Sequence, residues 1–271
     1  MNNPVYASTG TVIGRSNGFN YRLIPVYCPQ MHADAYELMM LTAWFDDLDT
    51  VAQYLKKSGL KFPVTHAEKN VGEYLGNGDD EEALRRFKLC VKTAQTVGSE
   101  KMVLHLWSGL VSDRNFDHNL TFCEKFRQIA ADAGVLLCIE NIPCSVLDPL
   151  SHWKQIHESC PEQKFIFDTR MGAFHNQLYT EAREWFREPL IGSVAHMHVS
   201  DFVGPSGDFS KLRPIPQPGE GIIDFEQFFG YALPSYHGSI TLESPVLHED
   251  GTVDIEKLNK TLDYINKAVG K

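Results

Sequence analysis

The chain has 271 residues, of which 43% are hydrophobic and 22% are charged, an ordinary mixture for a globular protein. Its net charge of −10 repels phosphate backbones, so nucleic acid is not an expected partner. No apolar run has the length of a membrane helix, and the first residues carry neither a basic region nor an apolar signal core. We therefore expect no membrane partner and a cytoplasmic location.

Short apolar runs alternate with helical stretches in the first half of the chain. The predicted strands are 5–9, 36–41, 62–65 and 102–106. The predicted helices are 46–58, 79–97 and 117–133. Apolar residues recur with helical spacing in these helices, and a glycine follows each of them. His66 follows the third strand and His105 lies within the fourth, so both histidines lie near strand ends.

The second half repeats this alternation, and each of its strands ends in a polar residue. The predicted strands are 135–140, 165–168, 195–198 and 239–243. The predicted helices are 147–158, 180–186, 225–231 and 254–269. The residues that close the four strands are Glu140, Asp168, His198 and Glu243.

Eight strands that alternate with helices predict an α/β fold with an all-parallel sheet. Eight repeats favour a closed (β/α)8 TIM barrel, formed as one domain over residues 1–271. An open, doubly wound sheet is the alternative. No GxGxxG motif follows the first strand, which weakens the dinucleotide-binding form of that alternative.

The four polar strand ends predict a metal site. A charge at the end of a buried strand is costly unless it is bound by something. The carboxyl ends of all strands in such a barrel face one mouth, so these side chains would converge there. Three carboxylates and one imidazole form a suitable ligand set for one divalent metal. An ordinary salt bridge or a helix cap is the alternative for each carboxylate taken singly.

Five short motifs in this order carry a family resemblance. They are Ile139-Glu140-Asn141, Phe167-Asp168-Thr169, His198-Val199-Ser200-Asp201, Gly219-Glu220-Gly221-Ile222-Ile223-Asp224-Phe225 and Leu242-Glu243-Ser244. With them, the chain resembles the xylose isomerase-like TIM barrels, a superfamily of sugar isomerases, sugar epimerases and apurinic endonucleases. The first half matches only through His66 and His105.

The resemblance implies that Glu140, Asp168, His198 and Glu243 bind one divalent ion, with Mn²⁺, Mg²⁺, Co²⁺ and Zn²⁺ all compatible. Glu140 and Glu243 would be the catalytic acid/base pair. The expected enzyme is an isomerase or epimerase of a sugar or sugar derivative, working by proton transfer through a metal-bound enediolate. The expected partner is a small carbohydrate, and assembly into a homo-oligomer is compatible with the sequence.

Further residues are candidates for the walls of the pocket. His66 and His105 would contact substrate or bind a second metal with Glu140, or each would simply cap a strand. Trp107 would form an apolar wall under a sugar ring, with ordinary packing as its alternative. His175 and Arg213 are candidate substrate contacts, and each is equally compatible with an exposed loop position.

Two departures from the family pattern affect the expected chemistry. Met171 stands where the family often has a histidine, and Arg213 and Ile215 stand where the endonucleases have an Asp-x-His pair. Both losses remove ligands of a third zinc. An endonuclease-type metal phosphodiesterase therefore stays an alternative, as do a dehydratase or lyase on the same site and a non-catalytic sugar-binding barrel.

Two further polar residues flank the predicted ligand His198. Asp201 would either orient a ligand histidine or cap the start of a loop. His196 points to the same side of its strand as His198 and is interpreted as a core residue one layer deeper.

Overall fold

Runs of three to six mostly apolar residues form the strands, as burial on both faces of a parallel sheet requires. In the computed structural model, which describes residues 3–271, eight strands pair in sequence order and close into a barrel. The strands are β1 (Val5–Ser8), β2 (Ala35–Met39), β3 (Val64–His66), β4 (Lys101–Leu104), β5 (Leu136–Glu140), β6 (Lys164–Asp168), β7 (Val194–Val199) and β8 (Ser239–Leu242). The predicted (β/α)8 TIM barrel is confirmed.

Helices follow the strands, and several begin at an aspartate that caps them. The α-helices are α1 (Ile24–Tyr27), α2 (Leu48–Lys57), α3 (Val71–Gly76), α4 (Asp80–Val97), α5 (Phe116–Leu120), α6 (Cys123–Asp132), α7 (Pro149–Ser159), α8 (Thr169–Phe174), α9 (Phe225–Ala232) and α10 (Ile255–Ala268). Asp79, Asp148, Asp224 and Asp254 each accept a hydrogen bond from a backbone N–H in the first turn of the following helix.

The predicted helix over 117–133 is two helices, because α5 ends at Leu120 and α6 begins at Cys123. The buried Asn119 amide donates to the carbonyls of Gly72 and Leu106, which fixes α5 to neighbouring backbone. The Thr121 hydroxyl donates to the His118 carbonyl, and such local bonds compete with helix continuation. The predicted helix over 180–186 is a 3-10 helix, Glu181–Phe186.

The chain divides into two compact units, and strand register is defined within each. One unit reaches Glu37 and resumes at Phe167, and the other is Leu38–Ile166. In the first unit β8 lies between β1 and β7, with Ala7 opposite Leu242 and His198 opposite Thr241. In the second unit β5 lies between β4 and β6. The interpretation of residues 1–271 as one domain stays a prediction.

The core of the second unit is rich in aromatic rings. Phe87 on α4 stacks on Phe126 on α6 with 4.1 Å between ring centroids, and Trp153 packs on Phe165 at 4.6 Å. Such rings bury large apolar areas and fix how the helices sit on their strands. Within residues 3–271, none of the helices is long and apolar enough to cross a membrane.

Candidate metal centre

Three of the predicted ligands lie together at the carboxyl ends of strands in the first unit. Asp168 is the last residue of β6, His198 is the penultimate residue of β7, and Glu243 directly follows β8. One ligand atom of each lies within 4.8 Å of the others. Asp168 and His198 are fully buried, and the Glu243 side chain is 9% exposed. The fold thus brings these three residues together from positions far apart in sequence.

The contacts of Glu243 leave room for a cation. Its Oε2 lies 3.4 Å from Nδ1 of His198. Its Oε1 is buried and has no hydrogen-bond partner among residues 3–271. A buried carboxylate oxygen in this condition is costly unless a cation or proton neutralises it. The donor set of two carboxylates and one imidazole therefore fits a divalent metal.

Asp168 also organises the backbone that follows it. Its Oδ1 accepts a hydrogen bond of 3.0 Å from the Met171 N–H, so the carboxylate caps α8. The helix-cap alternative is therefore realised at one oxygen. Met171, the residue that replaces the family histidine, lies buried in α8.

Glu37 on β2 is a functional candidate that sequence reasoning missed. Its Oε2 lies 3.0 Å from Nε2 of His198 and 3.0 Å from Nε2 of His196. Burial raises the pKa of Glu37, but its attraction to the two histidines outweighs burial and holds the pKa well below its usual range. The missed signal was a lone acidic residue within an apolar strand.

His196 lies deeper in the same layer, as its sequence position predicts. Its Nδ1 is 2.7 Å from the Ser239 hydroxyl, and its Nε2 is 2.9 Å from the Thr241 hydroxyl. Tyr6 stacks on its ring with 6.3 Å between centroids. Both ring nitrogens are thus engaged by β8 and Glu37, which is the pattern of a structural histidine.

The second unit brings His66, His105 and Glu140 together. Oε2 of Glu140 lies 3.3 Å from Nε2 of His66 and 2.6 Å from Nε2 of His105. Nδ1 of His66 donates to the Ala67 carbonyl at 2.7 Å, which directs its Nε2 toward Glu140. Burial outweighs the attraction of Glu140 and lowers the pKa of His105 to about 4, so this imidazole is neutral near pH 7. A neutral imidazole can ligate a metal.

The remaining predicted contacts have different surroundings. Trp107 is fully buried, and its indole N–H donates to the Pro143 carbonyl at 3.3 Å. Its ring packs against Phe116, which favours the packing alternative over a wall under substrate. His175 ends α8 and is half-buried, whereas Arg213 is exposed.

Asp201 holds the glycine-rich loop that follows β7. Its fully buried carboxylate accepts hydrogen bonds of 2.9 to 3.0 Å from the backbone N–H groups of Gly219, Gly221 and Ile223. A Cβ atom at Gly221 would lie 2.3 Å from the Asp201 Oδ1, so only glycine fits there. These contacts favour the loop alternative for Asp201 over the orientation of a histidine.

A second buried acid, Asp113, holds the loop after Glu140. Its carboxylate accepts hydrogen bonds of 2.7 to 3.0 Å from the backbone N–H groups of Ser145, Val146 and Leu147 and from the His152 Nε2. Burial raises the pKa of Asp113, but these hydrogen bonds together hold it well below its usual range. Although Cys144 is nearby, this carboxylate is saturated by donors, so the cluster works as a loop clamp.

We expect Asp113→Ala to lower the free energy of unfolding by about 3 kcal/mol near pH 7, because four buried donors lose a charged acceptor. Because the folded-state pKa is lowered, this contribution is complete above the ordinary carboxyl pKa of about 3.9 and disappears as the pH falls through the folded-state value. Urea unfolding of both proteins from pH 7 downward measures the difference. The exposed control Asp117→Ala should change stability by less than about 0.5 kcal/mol, and an equal loss in both variants would contradict the clamp.

Comparisons with known proteins agree with this fold. The model of the family described as xylose isomerase-like TIM barrel matches residues 17–267. Among proteins of curated function, none matches the sequence of this chain.

Solved structures that resemble the chain are distant in sequence. A D-tagatose 3-epimerase-like protein is 18% identical with a TM-score of 0.68, covering 98% of this chain and 100% of that one. D-allulose 3-epimerase from Methylomonas sp. is 14% identical with a TM-score of 0.71, covering 98% and 97%. 3-Keto-D-glucoside 4-epimerase from E. coli is 15% identical with a TM-score of 0.68, covering 97% and 99%. Likeness at these identities establishes the shared fold.

Proposed function

Because the chain belongs to the xylose isomerase-like TIM barrel family, we propose that it is a metal-dependent isomerase or epimerase of a sugar or sugar derivative. The observation that carries this proposal is the buried set of Asp168, His198 and Glu243, in which the Oε1 of Glu243 has no hydrogen-bond partner among residues 3–271. The epimerases for D-allulose and 3-keto-D-glucoside that share the fold support a carbohydrate substrate.

We further propose Glu140 as the fourth ligand, beside Asp168, His198 and Glu243. The strand order supports this assignment, because β5, β6, β7 and β8 are consecutive in the closed barrel. Their carboxyl ends share one mouth, where active sites of TIM barrels lie. Three carboxylates and one imidazole would hold Mn²⁺, Mg²⁺, Co²⁺ or Zn²⁺.

The two glutamates would carry the proton transfer. When bound, a divalent metal supplies Lewis acidity that makes a C–H beside a substrate carbonyl more acidic. Glu243 and Glu140 end well-separated strands, so their carboxylates would approach the substrate from different directions. One carboxylate removes the proton, and return by the same or by the other carboxylate gives isomerisation or epimerisation.

His66 and His105 would border this reaction on the side of Glu140. Their contacts of 3.3 and 2.6 Å with the Oε2 of Glu140 support either hydrogen bonding to sugar hydroxyls or a second metal bound with that glutamate. Metal stoichiometry, measured by elemental analysis of the loaded protein, separates the two arrangements.

Exchange of substrate hydrogen with solvent tests the proposal. Metal-stripped protein is reloaded separately with Mn²⁺, Mg²⁺, Co²⁺ or Zn²⁺ and incubated in deuterium oxide with a panel of ketoses and aldoses. Mass spectrometry and NMR then detect deuterium at the carbon beside the carbonyl. We expect exchange with at least one sugar only in metal-loaded protein. Metal binding without exchange on any sugar would favour the sugar-binding barrel, and loss of water from a substrate would favour the lyase.

Abasic DNA tests the phosphodiesterase alternative under the same metal loadings. The residues Met171, Arg213 and Ile215, which replace expected zinc ligands, and the net charge of −10 argue against it. We expect no strand incision. Rapid metal-dependent incision would overturn the proposed isomerase or epimerase.

A further inference from the structure

Glu37 occupies an unusual position for an acidic residue. It lies in β2, one strand away from β1, and pairs through Ser8 with the first strand of its unit. Its side chain is fully buried, and only one of its oxygens, Oε2, makes hydrogen bonds. Both partners of that oxygen are histidine nitrogens on β7, each at 3.0 Å. Such a costly placement needs a compensating role.

The hydrogen-bond geometry determines which nitrogen of His198 carries its proton. An ionised carboxylate only accepts, so a hydrogen bond from His198 to Glu37 requires a proton on Nε2. In neutral imidazole the other nitrogen, Nδ1, then presents its lone pair. That Nδ1 is the atom that lies 3.4 Å from the Oε2 of Glu243. Two electron-pair donors that face each other at this distance suit a shared cation.

We propose that Glu37 is a positioning residue that fixes His198 in the Nε2–H tautomer and thereby directs Nδ1 to the metal. The inference rests on the proposed function, because that proposal makes His198 a metal ligand. It adds a carboxylate from β2, which lies outside the five motifs that carry the family resemblance. A carboxylate that accepts from the second nitrogen of a ligand histidine typically changes metal affinity about 10- to 100-fold.

His196 supports this arrangement by holding Glu37 in place. Its Nε2 donates to the same carboxylate oxygen, and its Nδ1 contacts the Ser239 hydroxyl at 2.7 Å. The rings of His196 and His198 pack edge to face with centroids 5.4 Å apart. Glu37 is therefore held from β7 and β8 while it orients His198, and the free choice of rotamer that a lone buried glutamate would have is removed.

The tautomer of His198 can be measured directly in metal-free protein. Histidine labelled with ¹⁵N reports by NMR which ring nitrogen is protonated, and His198→Asn assigns the signal. We expect the Nε2–H form in the wild type. Nδ1–H as the dominant neutral form would overturn the proposal, whatever the protein catalyses. This measurement needs neither a substrate nor a variant at position 37.

Variants of Glu37 then connect the tautomer to metal affinity. Glu37→Leu removes the acceptor, and Glu37→Gln keeps an acceptor oxygen without the charge. We expect the dissociation constant for Mn²⁺ alone, measured by isothermal titration calorimetry, to rise about 10- to 100-fold in Glu37→Leu. Glu37→Gln should fall between Glu37→Leu and the wild type, because the amide partly rescues the hydrogen bond.

A matched control separates positioning from general loss of stability. Glu68 in the second unit is also a buried glutamate, and it accepts from Thr42 and Arg86 rather than from histidine. Glu68→Gln should lower stability and leave the Mn²⁺ affinity and the His198 tautomer unchanged. Wild-type Mn²⁺ affinity in folded Glu37→Leu would refute the positioning role. If instead the tautomer is Nε2–H and no sugar shows exchange, the function proposed above fails while the role of Glu37 stands.

Discussion

Glu243→Gln is expected to lower turnover about 100- to 10,000-fold while the fold stays intact. The substitution keeps the size of the side chain and removes both the charge and the basicity of a carboxylate that directly follows β8. The variant loses the group that removes the substrate proton, and the metal loses an anionic ligand opposite Nδ1 of His198. Saturating Mn²⁺ should therefore restore metal occupancy but not turnover.

Glu249→Gln is the matched control for Glu243→Gln. Glu249 is exposed on the loop after β8, so the control removes the same charge from the same part of the chain. We expect wild-type rates from it. Turnover is measured with the sugar identified by the exchange panel, and circular dichroism reports whether each variant is folded. Full activity in folded Glu243→Gln would disprove the role assigned to Glu243.

Glu140→Gln is the second substitution with a large expected effect, and its consequences should differ in kind. The Oε2 of Glu140 contacts both His66 and His105, so the loss of its charge also removes what holds these rings together. We expect turnover to fall about 100- to 10,000-fold, with a larger rise in KM than Glu243→Gln produces. Neither histidine would then be positioned for hydroxyl groups of a sugar or for a second ion.

Isotope exchange distinguishes the two glutamates further. If the enzyme is an epimerase with one glutamate on each face, Glu140→Gln should block exchange from one epimer and Glu243→Gln from the other. Both variants are compared at saturating Mn²⁺, with exposed Glu158→Gln as the control for Glu140. Equal exchange from both epimers in Glu140→Gln would show that Glu140 does not serve as a catalytic base.

The sequence predicted the barrel well because its signals are local and repeated. Strand ends at Glu140, Asp168 and His198 fall where polar residues follow apolar runs, within one residue of the observed strand ends. Caps such as Asp79 and Asp254 are equally local. The break at Thr121 was missed because it depends on buried contacts of Asn119 with backbone that is distant in sequence.

The parts of the site that sequence did not reveal depend on three-dimensional pairing. Glu37 was read only as part of a strand, since nothing local shows that it meets two histidines about 160 positions later. Asp113 looked like a loop residue, although its carboxylate holds three successive backbone N–H groups. Trp107 looked like a pocket wall because its burial depends on Phe116 and Pro143.

The bonds of Asp201 have a consequence for how this enzyme can diverge. The carboxylate ties Gly219 and Gly221 to the end of β7, so residues 202–218 leave and return at two fixed points. Insertions or replacements between these points, including those around Arg213, leave the strand that carries His198 in place. Duplicated copies of the gene can therefore acquire new substrate preferences by changing this segment alone while they inherit an unchanged catalytic centre.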